Sequence, residues 1–168
     1  MIVAADSTPL IHLSTVSDLG LLQKLFGKIL IPEAVRGEIV AGGPGLPGAA
    51  EVSEAVGKWI EVVATTDSER VASLMLQQNL DRGEAEAIVL AQLRQAHFLL
   101  MDERRAVTHA RFLGIEVLRT LGIYDYAKRL GLIKAVRPKI DALRQQGFWL
   151  SEKDYQEAIR SFGENDPQ

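Results

Sequence analysis

The chain predicts an α/β fold on a mostly parallel sheet, and three observations carry that expectation. Two short, wholly apolar runs, residues 2–5 and 98–101, read as strands buried on both faces. Each stops abruptly on a carboxylate, Asp6 and Asp102. Between and after them helical patterns alternate with further short runs at 28–31, 59–63 and 115–118, the rhythm of successive βαβ units. Parallel strands built this way end on one edge of the sheet, so the two acids share a rim. From residue 121 onward the pattern turns wholly helical.

Each element follows from its residues. After Asp6, the hydroxyls of Ser7 and Thr8 and the proline at 9 supply an N-cap and first turn for a short helix. An acid at the carboxyl end of a strand in an open sheet is either a helix cap or a ligand. Ser17 is expected to cap a second helix carrying Leu19, Leu21, Leu22, Leu25 and Phe26, which Gly27 ends. The strand at 28–31 follows, and Pro32 opens a helix whose apolar stripe is Ala34, Val35 and Ile39. Glu33 suits the dipole of the first turn. Glu38 lies on the edge of the stripe, where a carboxylate needs a partner.

The Gly- and Pro-rich stretch 42–48 reads as a flexible flap, without the Lys-Ser/Thr that a phosphate-binding loop requires. Residues 49–57 read as helix and 59–63 as strand, and Asp67 or Ser68 starts a helix bearing Val71, Leu74 and Met75. Asp81 followed three places later by Glu84 is a capping-box pattern. From Ala85 that helix is apolar almost all round, which marks it as internal. Glu84 is therefore a cap or a ligand, and Glu86 stands close by. Beyond Asp102, a helix carries Ala106, Val107, Ala110 and Leu113. Helices are then expected at 121–130, at 135–146, and after a capping Ser151 with Tyr155, Ala158, Ile159 and Phe162. Phe148 and Trp149 read as core residues, and residues 163–168 should fray.

Bulk properties narrow the class. With 168 residues the chain makes one ordinary domain, and 47% hydrophobic with 24% charged residues is globular. No apolar run approaches the ~20 residues of a membrane span, and the start lacks a signal-peptide pattern. The absence of cysteine excludes a disulfide framework and makes the cytoplasm the default location. The net charge of −3 conceals a segregation: residues 1–103 carry 7 Lys/Arg against 14 Asp/Glu, and residues 104–144 carry 10 against 3. An acidic site beside a basic surface suits a cation together with a polyanion.

Asp6, Glu38, Glu84 and Asp102 can face one rim. Arg36, Arg82 and Arg104 lie two residues from three of them, a spacing that points side chains apart on a helix. Converging carboxylates raise one another's pKa and destabilise the fold, a conflict that a divalent cation removes. All-oxygen donors select Mg²⁺ or Mn²⁺ over zinc. Arg104, Arg105, His109 and Arg111 follow the fourth acid directly and should border the site, where arginine pairs with phosphate. His109 reads as a surface residue, and His12 and His97 give weaker signals still.

The stretches Asp6-Ser-Thr-Pro-Leu-Ile11, Ile31-Pro-Glu-Ala-Val-Arg-Gly-Glu38, Gly83-Glu-Ala-Glu-Ala-Ile88 and Leu99-Leu-Met-Asp-Glu103, in that order, resemble the PIN-domain family, in particular its VapC-like ribonuclease toxins. The resemblance implies a three-layer PIN-like fold with a central mostly parallel sheet: a nuclease core over residues 1–130 and C-terminal helices, 131–168, as an extension of the same domain. It implies a Mg²⁺- or Mn²⁺-dependent endoribonuclease, a hydrolase acting on an RNA substrate, often a homodimer and often paired with an antitoxin. Asp6, Glu38, Glu84 and Asp102 become the metal-binding, catalytic acids. Glu86 is an alternative to Glu84. Glu103 is an alternative to Asp102, because Asp102-Glu103-Arg104-Arg105 departs from the commoner Thr or Ser before an acid. Ser7 or Thr8 matches the hydroxyl that follows the first acid, and with Arg104, Arg105 and Arg111 these are the expected RNA contacts. Two other readings stand beside this one. A phosphohydrolase of the haloacid-dehalogenase kind wants a second Asp where this chain has Thr8. A nucleic-acid-binding module would keep the acids without turnover.

Overall fold

The structure is a computed structural model, and it describes residues 1–41 and 48–164. Most of the loop expected at 42–48, and the end of the chain after 164, lie outside them. Two compact units divide the chain, Met1–Thr120 and a second from Leu121.

The first unit is organised on five strands, β1 (Val3–Ala5), β2 (Ile29–Pro32), β3 (Ile60–Val63), β4 (Phe98–Leu100) and β5 (Val117–Leu118), in the order β3-β2-β1-β4-β5. Every pairing in this sheet is parallel, so the expected α/β architecture is what the chain adopts. From β1 the chain works outward through β2 and β3, then returns to lay β4 along the other side of β1, with Val3 opposite Phe98 and Ala5 opposite Leu100. That reversal is a topological switch point, and the crevice it opens lies beyond the carboxyl ends of β1 and β4. Asp6 directly follows one of these ends, and Asp102 follows the other after Met101.

Among the described residues, seven helices serve this sheet: α1 (Ser7–Thr15), α2 (Leu19–Phe26), α3 (Glu33–Ala41), α4 (Ala49–Ala55), α5 (Ser68–Gln78), α6 (Arg82–Leu93) and α7 (Arg104–Phe112). Ala4, Leu99 and Val117 on one sheet face meet Val71 and Leu74 of α5, Ile88 and Val89 of α6, and Val107 and Ala110 of α7. Strand alternation turns Val3, Ala5 and Leu100 to the opposite face. There α2 packs on β2, and the rings of Phe26 and Phe98 lie 6.0 Å apart. Helices thus flank the sheet on both sides. α6 is buried continuously from Gly83 to Ala91, as its all-round apolar pattern predicts.

Several local readings give way. The N-cap of α1 is Asp6 itself, extended at φ −83°, ψ 168°, so Ser7 and Thr8 fall inside the helix. Asp18 precedes α2, because Ser17 turns through φ 58°. Pro32 completes β2, and the helix begins at Glu33. Ahead of α4, Gly48 holds φ 93°, and a Cβ there would fall 2.9 Å from Ser14 Cβ, so only glycine fits.

α8 (Thr120–Arg129), all but its first residue in the second unit, leads to α9 (Arg137–Gln145) and α10 (Glu152–Ser161), the last capped by Ser151 as expected. Glu164 accepts hydrogen bonds from Lys128 Nζ at 2.6 Å and from the N–H groups of Val136 and Arg137 at 2.7 and 2.8 Å. Amides at the start of a helix meet no carbonyl within it, so Glu164 closes α9, and the chain is tied down through residue 164 rather than fraying from 163. The core position expected for Trp149 is also corrected. It is 82% exposed, in a non-helical connection with no apolar stripe to turn it inward. Among the described residues no helix is long and apolar enough to cross a membrane.

Candidate active site

β1 is buried throughout, and it carries Asp6 to the sheet edge with only 2% exposure. The Oδ1 atom of Asp6 is buried with no hydrogen-bond partner. Burial pushes its pKa to about 7, the charges of Glu38, Asp81 and Glu84 push the same way, and the Ser7 backbone N–H opposes them. A carboxyl in this state is a poor cap. Its side chain makes no capping bond to α1.

Glu38 approaches from α3. Ser7 Oγ donates to Glu38 Oε2 at 2.8 Å, so the residue after Asp6 holds the second acid. The Glu38 carboxyl rests on Gly83 in the first turn of α6, where a Cβ would fall 2.8 Å from Glu38 Cδ. Glycine at 83 is thus the cradle of this carboxylate. Burial raises the pKa of Glu38, the Ser7 hydroxyl restrains it, and Asp81 and Glu86 raise it further.

Glu84 completes a reciprocal capping box. Asp81 Oδ1 accepts from Glu84 N at 2.8 Å, and Glu84 Oε2 accepts from Asp81 N at 2.9 Å. Burial raises the Glu84 pKa, against the Asp81 backbone bond, and Asp81, Glu103 and Glu38 add to the rise. A cap and a member of the acidic rim are therefore one residue. Glu86 faces elsewhere, accepting from Arg82 Nε at 2.8 Å, Ala34 N at 3.2 Å and Thr65 Oγ1 at 3.4 Å. It ties α6 to the start of α3.

Asp102 sits in a different setting. Thr120 donates its N–H to Oδ1 at 2.8 Å and its hydroxyl to Oδ2 at 2.5 Å, and His12 Nδ1 lies 3.0 Å from Oδ2. Burial alone would raise its pKa, but the bonds from His12 and Thr120 outweigh that and hold it below the usual carboxylate range. Glu103 accepts from Ala106 N at 2.8 Å and caps α7. Arg104 and Arg111 are exposed on that helix, and Arg105 Nη1 donates to Asn79 O at 3.2 Å. Asp6, Glu38 and Glu84 thus share one rim with Asp81, and Asp102 stands at the neighbouring strand end with its own partners. Neither His12 nor Thr120 announces itself in the sequence. Pairing of β1 with β4 brings His12 to Asp102, and pairing of β4 with β5 brings Thr120.

A family model described as a PIN domain matches residues 2–164. The chain belongs to the PIN-domain family. No curated protein matches it. PIN domains are generally nucleases, and such nucleases generally use divalent metals.

Whether this PIN domain suits a divalent ion is a question of donors. Among the described residues no group of three or more His, Cys, Asp or Glu side chains is gathered tightly enough to hold one. The chemistry at the rim nonetheless fits a hard cation. Asp6 Oδ1 is an orphaned buried oxygen, and among the described residues neither Asp6, Glu38 nor Glu84 has an ion-pair partner. Of the roughly four lone-pair directions of a carboxylate, Asp102 commits three and keeps one on Oδ1. Gly83, a position the sequence offers only as part of a helix start, is what lets Glu38 approach.

Proposed function

We propose that this PIN domain is a Mg²⁺- or Mn²⁺-dependent endoribonuclease, with Asp6, Glu38 and Glu84 as its metal-binding acids and Asp102 as the fourth. The observation that carries the reading is Asp6: a buried, unpaired carboxyl oxygen at the switch point, with a pKa pushed to about 7 beside Glu38 and Glu84. An empty fold gains nothing from that arrangement, whereas a divalent cation would relieve it. When bound, the ion supplies polarisation of the phosphodiester and a more acidic water.

The chain's own residues do the positioning. Ser7 directs Glu38, which gives that hydroxyl an orienting role in place of an RNA contact, and Gly83 leaves room for the carboxylate. His12 and Thr120 fix the rotation of Asp102, as outer partners do for ligating carboxylates. Glu84 is proposed over Glu86, whose oxygens are taken by Arg82, Ala34 and Thr65. Asp102 is proposed over Glu103, which caps α7. Thr8, half-buried in the first turn of α1, with Arg104, Arg105 and Arg111 on α7, would meet the RNA backbone.

A toxin role with a cognate antitoxin and a homodimeric state are proposed on the resemblance to VapC-like proteins, and a cytoplasmic location as the default for a chain without cysteine. So are a nuclease core at 1–130 and its helical extension at 131–168. Incubation with labelled RNA, with and without Mn²⁺, tests the central claim. Metal-dependent internal cleavage by the native chain and none by Asp6→Asn is the expected result. Binding without cleavage under any metal would favour a non-catalytic module.

A further inference from the structure

We propose that the outer face of α7 is a subsite for one unpaired base of the substrate strand, which stacks on Phe112 and His109 while Arg104 and Arg105 hold the flanking phosphates. The proposal rests on the nuclease reading and adds to it a place for the strand. Ala106, Val107 and Ala110 turn α7 toward the core, which leaves its other face to solvent. On that face Phe112 follows Arg104 and Thr108 at four-residue intervals, one stripe of the helix. It is 84% exposed, so no packing role accounts for a large ring there. The His109 ring lies 6.3 Å from it, tilted by 33°.

These side chains border a groove of about 640 Å³, which Gln78 closes on the α5 side. Glu103, the residue next to Asp102, also lines it, so the groove begins beside the strand end that carries the fourth acid. Arg105 spends one donor on Asn79 O, which anchors its guanidinium and leaves further N–H groups for an anion. An aromatic pair set among arginines matches a nucleotide, a flat π-face joined to phosphates. A purely acidic peptide would satisfy the charge and leave the rings unused.

The test uses the full chain, with binding measured in EDTA to a short fluorescein-labelled RNA and to the same strand with abasic sites. Cleavage of RNA in Mn²⁺ is followed in parallel. Phe112→Ala should weaken single-strand binding about tenfold, Phe112→Trp should restore it, and the abasic strand should bind native and Phe112→Ala proteins alike. Unchanged affinity of Phe112→Ala, with the native chain binding and cutting, overturns the subsite alone and leaves the ring to a protein partner. Equal losses on intact and abasic strands also overturn it, since the ring would then act through the fold. If the native chain neither binds nor cuts RNA, the nuclease reading falls and the subsite with it.

Discussion

Asp6 sets the behaviour of the site at the residue scale. Its pKa of about 7, against an ordinary 3.8, means that the metal-free folded state keeps a proton that the unfolded chain has released. Between about pH 4 and 7 the native state therefore binds more protons, and its stability falls as pH rises through that window. Glu38 and Glu84, also raised, act with the same sign. Urea melts across this range should show Asp6→Asn losing part of the decline, and at pH 7 the metal-free variant should be as stable as the native chain or more so. Its cleavage should be abolished. Retained cleavage together with a loss of more than ~1 kcal/mol would make Asp6 only a helix cap. Because protons compete for the same oxygens, Mn²⁺ affinity of the native chain should weaken as pH drops below 7. The strand-end position made Asp6 legible from sequence, since a buried apolar run stopping on an acid is a local pattern. His12 was not legible. Its partner Asp102 lies 90 residues away, and nothing around position 12 encodes that meeting.

At the scale of elements, α6 concentrates the decisions. Glu84 is both capping-box residue and rim acid, and two substitutions separate the roles. Glutamine can still accept the Asp81 N–H, so Glu84→Gln should cost little stability while Mn²⁺ affinity and cleavage fall steeply. Asp81→Ala should do the reverse, costing ~1 kcal/mol through the lost cap with cleavage kept while the protein stays folded. Full cleavage by Glu84→Gln at limiting Mn²⁺ would remove Glu84 from the ligand set. Gly83→Ala offers a third probe. Alanine in an exposed helix interior ordinarily gains up to ~1 kcal/mol over glycine. Here its Cβ would displace the Glu38 carboxyl, so a drop in metal affinity without a stability gain is expected. Strands and helices were readable because hydrophobic period is a property of ten or so neighbouring residues. Caps were less so: whether Asp6 or Ser7, Ser17 or Asp18 starts a helix depends on one residue's φ and ψ, which composition does not encode. Trp149 misled for a related reason, since hydrophobicity alone, with no helical stripe beneath it, says nothing about direction.

On the scale of the whole molecule, the basic stretch 104–144 is the feature whose meaning changes most, because the boundary after Thr120 divides it between two units. In the second unit several cations are already engaged: Lys128 with Glu164 at 2.6 Å, Arg129 with Asp125 at 2.7 Å, and Arg144 with Glu152 at 3.3 Å and over the Tyr155 ring at 4.5 Å. In the first unit Arg104 and Arg111 have no ion pair among the described residues, and Arg105 meets only a carbonyl. Charges with partners release few counterions when a polyanion binds, whereas unpaired ones release about 0.7 per phosphate contact on a single strand. Arg104→Gln with Arg105→Gln should therefore flatten the slope of log affinity against log salt by ~1.4, with a similar loss for every RNA sequence. Lys128→Gln with Arg129→Gln should leave the slope nearly intact and lower the thermal stability instead, because Lys128 helps Glu164 close α9. The two pairs make a crossed measurement. If the second pair flattened the slope and the first did not, the strand would be held by residues beyond 121, and α7 would be an ordinary solvated face.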